Sequence, residues 1–229
     1  MTTPLPASIP DGRACVSAVV WDMDGTLIDS ASVVPDSFCQ TVEELGGRTR
    51  SRAEIVALYS LGPPRAMLSE LLNRPCSDAD VDLYHDILAR RATAVSACDG
   101  IKAVLDQLQA TVPMAVFTGA SRQAAEILLS AAGLLGYFAV LVAGDQVANP
   151  KPDPQGILKA CSLVPAEPRR SIYVGDAPTD LEAARRAGAV GAAAGWGHLY
   201  DPSALADLHL RRPADLLTHL SPANSEGSA

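Results

Sequence analysis

The sequence predicts an α/β fold: a parallel sheet with helices on both faces, interrupted by a small all-α unit. Three observations carry this. Short β-branched runs recur at 15–22 (CVSAVVWD), 112–118 (VPMAVFT), 138–144 (FAVLVAG), 171–176 (SIYVGD) and 189–195 (AVGAAAG). Helical patterns separate the later runs, and strands alternating with helices imply a parallel sheet covered on both sides. The run ending at 22 and the next, beginning at 112, are too far apart for one crossover helix. A helical unit therefore stands between them.

Taken in order, residues 1–12 lack the basic start and apolar core of a secretory signal and read as a disordered leader. The core is expected to comprise 13–30 and 99–222, a Rossmann-like arrangement, and 31–98 reads as helices throughout. Within that segment Ser51 and Glu54 form a capping-box pattern, a helix follows the break at Gly62-Pro63-Pro64, and Ser77 is placed to cap another. In the core, 121–133 has helical spacing with Gly133 as a stop. Pro178 suits a first helical position and Gly188 a C-terminal cap. Residues 223–229 read as a frayed tail.

At 229 residues, 48% of them hydrophobic and 19% charged, the chain can bury a sizeable core. Its net charge of -8 argues against nucleic acid as a partner. No apolar stretch approaches the span of a bilayer, so no membrane partner is expected. Cys15, Cys39, Cys76, Cys98 and Cys161 are scattered without a C-x-x-C pair, as expected of reduced thiols in the cytoplasm. A monomer or a homodimer is expected.

Ligand sites in open parallel sheets form beyond the carboxyl ends of the strands. There the first strand delivers Asp22 and Asp24, followed by Gly25; the second delivers Thr118 and Gly119; and the 171–176 run delivers Asp176 and Asp180. Lys151, one of three lysines in the chain, arrives in the proline-stiffened loop NPKPDP. Each piece alone has a plain reading: a turn, a helix cap, a loop lysine. Together, clustered carboxylates demand a cation, and oxygen donors without His or Cys suit Mg2+. Backbone N–H groups near Gly25 and Gly119 can form an anion nest. Metal, lysine, hydroxyl and backbone donors describe a phosphoryl-transfer site, with one carboxylate to attack phosphorus and another to serve as acid and base. Spacing alone does not say which aspartate attacks.

Asp22-x-Asp24-Gly25-Thr26-Leu27-Ile28-Asp29-Ser30 resembles the first motif of the haloacid dehalogenase-like (HAD) hydrolase superfamily. Thr118, Lys151-Pro152-Asp153-Pro154 and Gly175-Asp176-x-x-x-Asp180 resemble its second, third and fourth. The pattern is most similar to the phosphoglycolate phosphatase-like branch, with a helical cap at 31–98, and AAGWGHLY resembles that branch's ending. The resemblance implies Asp22 as nucleophile and metal ligand, and Asp24 as general acid/base lending its backbone carbonyl to Mg2+. It implies Thr118 and Lys151 on the phosphoryl group, and Asp176 and Asp180 completing the metal site.

An aspartate at position 24 favours phosphatases and phosphomutases over the dehalogenating and phosphonate-cleaving relatives. Thr118-Gly119-Ala120 is similar to the Thr-Gly of phosphonoacetaldehyde hydrolases, yet those need a cap lysine and 31–99 contains none. The resemblance thus implies a Mg2+-dependent phosphatase for a small phosphorylated, phosphoglycolate-like metabolite. The alternatives are a sugar-phosphate mutase, a phosphonatase or a non-catalytic regulator. Arg65, just past the proline break, is the candidate to read a charged or polar group of the substrate. Asp29 reads as a solvated or hinge residue rather than a ligand. Trp21 and Met23 are expected to face the core, and His85, His198, His209 and His219 to be surface or packing residues.

Overall fold

Strand β1 (Ala18–Trp21) is buried along its whole length. Val19 and Trp21 enter one hydrophobic cluster and Ala18 and Val20 another, which is why this run is continuously apolar rather than alternating. The computed structural model describes residues 16–220; the expected leader, Cys15 and the tail lie outside them.

After β1 comes a two-residue strand, β2 (Ile28–Asp29), then four helices: α1 (Val33–Glu44), α2 (Arg52–Val56), α3 (Pro64–Leu72) and α4 (Asp78–Arg91). Ser51 and Ser77 both cap as expected, each accepting from the backbone N–H three residues on while Glu54 and Asp80 reach back. The chain returns through β3 (Ser96–Ala97), which pairs antiparallel with β2, Ile28 opposite Ala97 and Asp29 opposite Ser96. Residues 31–98 are therefore not helical throughout. Two residues of ribbon are too short to show a period, and their pairing is set by the partner strand.

The remainder runs α5 (Ile101–Leu108), β4 (Met114–Phe117), α6 (Arg122–Ala131), β5 (Val140–Val142), α7 (Gln155–Leu163), β6 (Ser171–Gly175), α8 (Pro178–Ala187), β7 (Val190–Ala194) and β8 (Leu208–Leu210). Sheet order is β5-β4-β1-β6-β7-β8, all parallel. The five expected strands are present, and the sequence reading had not singled out β8, α5 or α7. Strand order reverses beside β1, so the carboxyl ends of β1, β4 and β6 flank a crevice.

One face is covered by α7 and α8 through Ile157, Ala160, Ala183 and Ala184. The other shares its cluster with the inserted helices, which contribute Val34, Phe38, Met67 and Tyr84. Phe38 stacks on Tyr84 with ring centroids 4.3 Å apart, tying α1 to α4. Fully burying one such ring contributes about 1.5–3 kcal/mol. His85, on α4, places Nε2 2.8 Å from Ser121 Oγ, the cap of α6, and so joins the insertion to the core. Trp21 and Met23 are both in the core.

Candidate active site

β1 ends at Trp21, so Asp22 is the first residue beyond its carboxyl end, and its N–H donates to Val174 of β6 at 2.8 Å. A tight turn follows, with the Met23 carbonyl accepting from Leu27 at 2.9 Å and Gly25 donating to Ile28 at 2.9 Å. This turn leaves Asp24 lining the same cavity as Asp22. Ser30 Oγ donates to Asp24 Oδ1 at 2.5 Å and fixes the carboxyl group. Gly25 has φ +77°, and a Cβ there would sit 2.3 Å from Asp176 Oδ2. Only glycine fits.

Thr118 follows β4 and is buried, its Oγ1 accepting from the Ala120 N–H at 3.1 Å. That leaves the hydroxyl proton to be donated to a ligand. Gly119 lines the cavity next to it. Lys151 stands in the loop after β5, where Nζ lies 2.6 Å from Asp22 Oδ1 and 2.6 Å from Asp180 Oδ1. The Tyr173 hydroxyl is 3.3 Å away, and the rings of Phe117 and Tyr173 lie under the ammonium. Asp176 follows β6 and accepts from the Leu199 N–H at 2.9 Å, with His198 Nδ1 3.9 Å from the same oxygen. Asp180, in the first turn of α8, accepts from the Ala177 N–H at 3.0 Å through its second oxygen. It is helix cap and Lys151 partner at once.

Asp22, Asp176 and Asp180 are all buried, and each offers an oxygen within 4.8 Å of the others'. Burial pushes the Asp22 carboxyl well above its usual range, Lys151 opposes this, and Asp180 and Asp176 add to it. Burial and then the Asp180 charge push Asp176 up to about 6. Burial also raises Asp24, against the Ser30 hydrogen bond. For Lys151 burial works against the charge, but Asp180 and Asp22 outweigh it and hold the ammonium protonated. Once ionised, these three carboxylates exceed the one ammonium by two negative charges. An all-oxygen donor set with that deficit fits a hard dication such as Mg2+.

Above the cluster lies a cavity of about 360 Å³ whose far walls come from the inserted helices. The structure thus brings together Asp22, Asp24, Gly25, Thr118, Gly119, Lys151, Asp176 and Asp180. It does not bring Arg65 there. That guanidinium donates to the Cys76 carbonyl at 2.8 Å and pairs with Asp78, because α3 turns it towards the start of α4.

Residues 19–194 match the haloacid dehalogenase-like hydrolase family. The chain belongs to that family. This HAD-like hydrolase is an enzyme of the phosphatase kind. It is 31% identical to a phosphoglycolate phosphatase of Aquifex aeolicus over 87% of its own length and 94% of the relative's. It is 27% identical to the pyrophosphatase PpaX of Bacillus velezensis over 88% and 95% of the two chains. The solved structure of CbbY from Rhodobacter sphaeroides, in complex with xylulose-(1,5)bisphosphate, shares the fold with a TM-score of 0.78. That likeness has 23% identity and covers 90% of this chain and 99% of the other.

The sequence reading of the HAD-like hydrolase missed Tyr173, His198, Tyr59 and Tyr84. A phenol inside a buried strand needs a hydrogen-bond partner, which could have flagged Tyr173. His198 was legible only as part of AAGWGHLY, since no metal-ligand spacing marks it. Replacing Gly25 by Ala forces Asp176 or the turn to move, and a misplacement of about 1 Å costs on the order of 100-fold in rate. The expected result for Gly25→Ala is a fall of that size in kcat/KM for p-nitrophenyl phosphate.

Proposed function

We propose that this chain is a Mg2+-dependent phosphatase acting on a small phosphorylated metabolite through an aspartyl-phosphate on Asp22. The observation that carries the reading is the Lys151 clamp. Nζ engages Asp22 Oδ1 at 2.6 Å and leaves Oδ2 as the attacking oxygen. As the Oδ2–phosphorus bond forms, the ester P–O bond breaks and Asp24 gives its proton to the leaving oxygen. The raised pKa of Asp24 suits a group that must be an acid first. Asp24, now a carboxylate, takes a proton from water as that water attacks phosphorus and releases Asp22. Thr118 and Lys151 hold the phosphoryl oxygens, and the N–H groups near Gly119 complete the anion nest.

Asp22, Asp176, Asp180 and the Asp24 carbonyl would hold Mg2+, which when bound supplies positive charge to the carboxylates and to the transferring phosphoryl group. Residues 31–98 act as a cap over a core of 13–30 and 99–222, excluding bulk water from the reaction. The assembly proposed is a monomer or homodimer. No helix among the described residues is long and apolar enough to cross a membrane, and the free thiols suit the cytoplasm. Relatives named phosphoglycolate phosphatases make that compound the first to assay. The test is hydrolysis of p-nitrophenyl phosphate with Mg2+ and with EDTA; activity indifferent to EDTA would refute the mechanism.

Stability supplies a second readout. Asp176, pushed up to about 6, keeps a proton in the folded state that the unfolded chain has already released, so without metal its contribution to stability falls as pH rises from about 4 to about 6, and the raised Asp22 acts in the same direction. Mg2+ binds the ionised carboxylates and reverses this. Its effect reaches about 2.7 kcal/mol at a hundredfold excess over Kd. The expected result is a larger rise in Tm on adding Mg2+ at pH 8 than at pH 5.

A further inference from the structure

The cavity has two unlike ends. Its floor is the carboxylate cluster with Lys151; the inserted helices line the rest mainly with Val34, Phe38, Val56 and Met67 and the phenols of Tyr59 and Tyr84, and Leu128 of α6 adds to them. Lys151 is the one cation among the described residues lining it, and both of its nearest partners belong to the floor. None of the seven arginines of 31–98 reaches the cavity. Arg48, Arg52, Arg65 and Arg74 are held by Glu54, Asp36, Asp78 and Asp80. Arg50 donates to the Leu71 carbonyl at 3.1 Å, and Arg91 to Gln40 at 2.9 Å. A second acid group on a substrate would enter these walls stripped of water and meet no counter-charge.

Two phenols of the inserted segment, Tyr59 and Tyr84, line the cavity without a hydrogen-bond partner among the described residues, and Tyr84 is the more deeply buried. Tyr84 is 2% exposed and stacked on Phe38, yet its hydroxyl makes no hydrogen bond among the described residues. The ring is buried but the hydroxyl is not closed off, so it opens on the cavity, where a ligand atom can meet it. A volume of about 360 Å³ is that of a pocket for a ring-sized organic group, larger than a carboxymethyl group fills.

Resting on the phosphatase reading, we infer that the substrate is a phosphate monoester with an uncharged, largely apolar ring as leaving group. That ring carries one hydrogen-bonding atom that meets the Tyr84 hydroxyl, and no second acid group. The phosphate enters the carboxylate end and the ring lies between Phe38, Met67 and Leu128. Two-carbon acid phosphates and bisphosphates are poor substrates for want of a cation on the far wall.

The test compares benzyl phosphate, 3-hydroxybenzyl phosphate, 2-phosphoglycolate and glucose 1,6-bisphosphate with the full chain and Mg2+. The first three esters all release a primary alcohol, so leaving-group acidity does not decide among them. The expected kcat/KM for the two ring esters exceeds that for 2-phosphoglycolate by about 100-fold, a buried unpaired charge being the penalty. Tyr84→Phe is expected to narrow the advantage of the hydroxylated ring over the plain one. Equilibrium binding of the same esters to Asp22→Asn should follow the same order, which reads the wall without turnover. Equal or better turnover of 2-phosphoglycolate or the bisphosphate, with p-nitrophenyl phosphate also hydrolysed, overturns the inference and leaves the phosphatase standing. No hydrolysis of any ester, p-nitrophenyl phosphate included, overturns the phosphatase and the inference together. A hydroxyl advantage unchanged in Tyr84→Phe removes Tyr84 from the recognition.

Discussion

Asp22→Asn is expected to abolish turnover while leaving the fold as stable as before, or more so. Loss of a nucleophile that works as part of a unit lowers kcat by on the order of 10⁴-fold or more. Stability moves the other way for an electrostatic reason. Asp22 is buried beside Asp176 and Asp180, and folding must carry its charge out of water against theirs. An amide has nearly the same shape and no charge, and its oxygen can still accept from Lys151. Lys151 also keeps Asp180, 2.6 Å away, so no cation is stranded. The decisive pair of measurements is kcat with p-nitrophenyl phosphate and Tm in EDTA at pH 8. Residual activity near that of the parent would remove Asp22 from the attack. A fall of many degrees in Tm would mean that its ion pair with Lys151 outweighs the repulsion.

Much of this site was legible because the chemistry sits where chain and sheet geometry must put it. The residues after β1, β4 and β6 had to emerge at the carboxyl edge, whatever the details of the loops. That is why Asp22, Thr118 and Asp176 could be named from the pattern of buried runs. Lys151 was harder, since a loop lysine has no periodicity; its scarcity and the prolines around it singled it out. Arg65 shows where such reasoning ends. Its place after a proline break suggested a loop over the pocket, but a helix-face side chain goes where its nearest partner stands. Asp78 begins the next helix on the other side. The same limit hid Tyr59 and Tyr84. Both line the cavity from helices whose packing on the core is a tertiary choice, invisible in local spacing.

That tertiary choice also separates the charged floor from the apolar walls. The floor uses charge, and in the proposed mechanism its residues supply what phosphoryl transfer needs. The walls use shape and apolar surface, and nothing in the reaction constrains them.

Lys151→Met is expected to cost both activity and stability, and the pH dependence of the loss identifies the cause. Methionine keeps the apolar stem over the Phe117 and Tyr173 rings but removes the ammonium, so packing changes little. Asp22 and Asp180 then lose their common partner while still buried with Asp176. Breaking a buried ion pair from one side costs about 3–5 kcal/mol, since the remaining charge has no compensation. The Asp22 carboxyl can escape by binding a proton, and without Lys151, which opposes the rise that burial causes, it does so at higher pH than in the parent. Groups whose folded pKa is raised destabilise the fold as pH rises through the unfolded and then the folded value. The Tm deficit of Lys151→Met against the parent, in EDTA, should therefore be small at pH 5 and large at pH 8. Added Mg2+ should recover part of it at pH 8 without restoring turnover, because the clamp on Asp22 Oδ1 is still missing. A deficit equal at both pH values would assign the loss to packing, and Lys151 would then be a structural lysine rather than the counter-charge of the site.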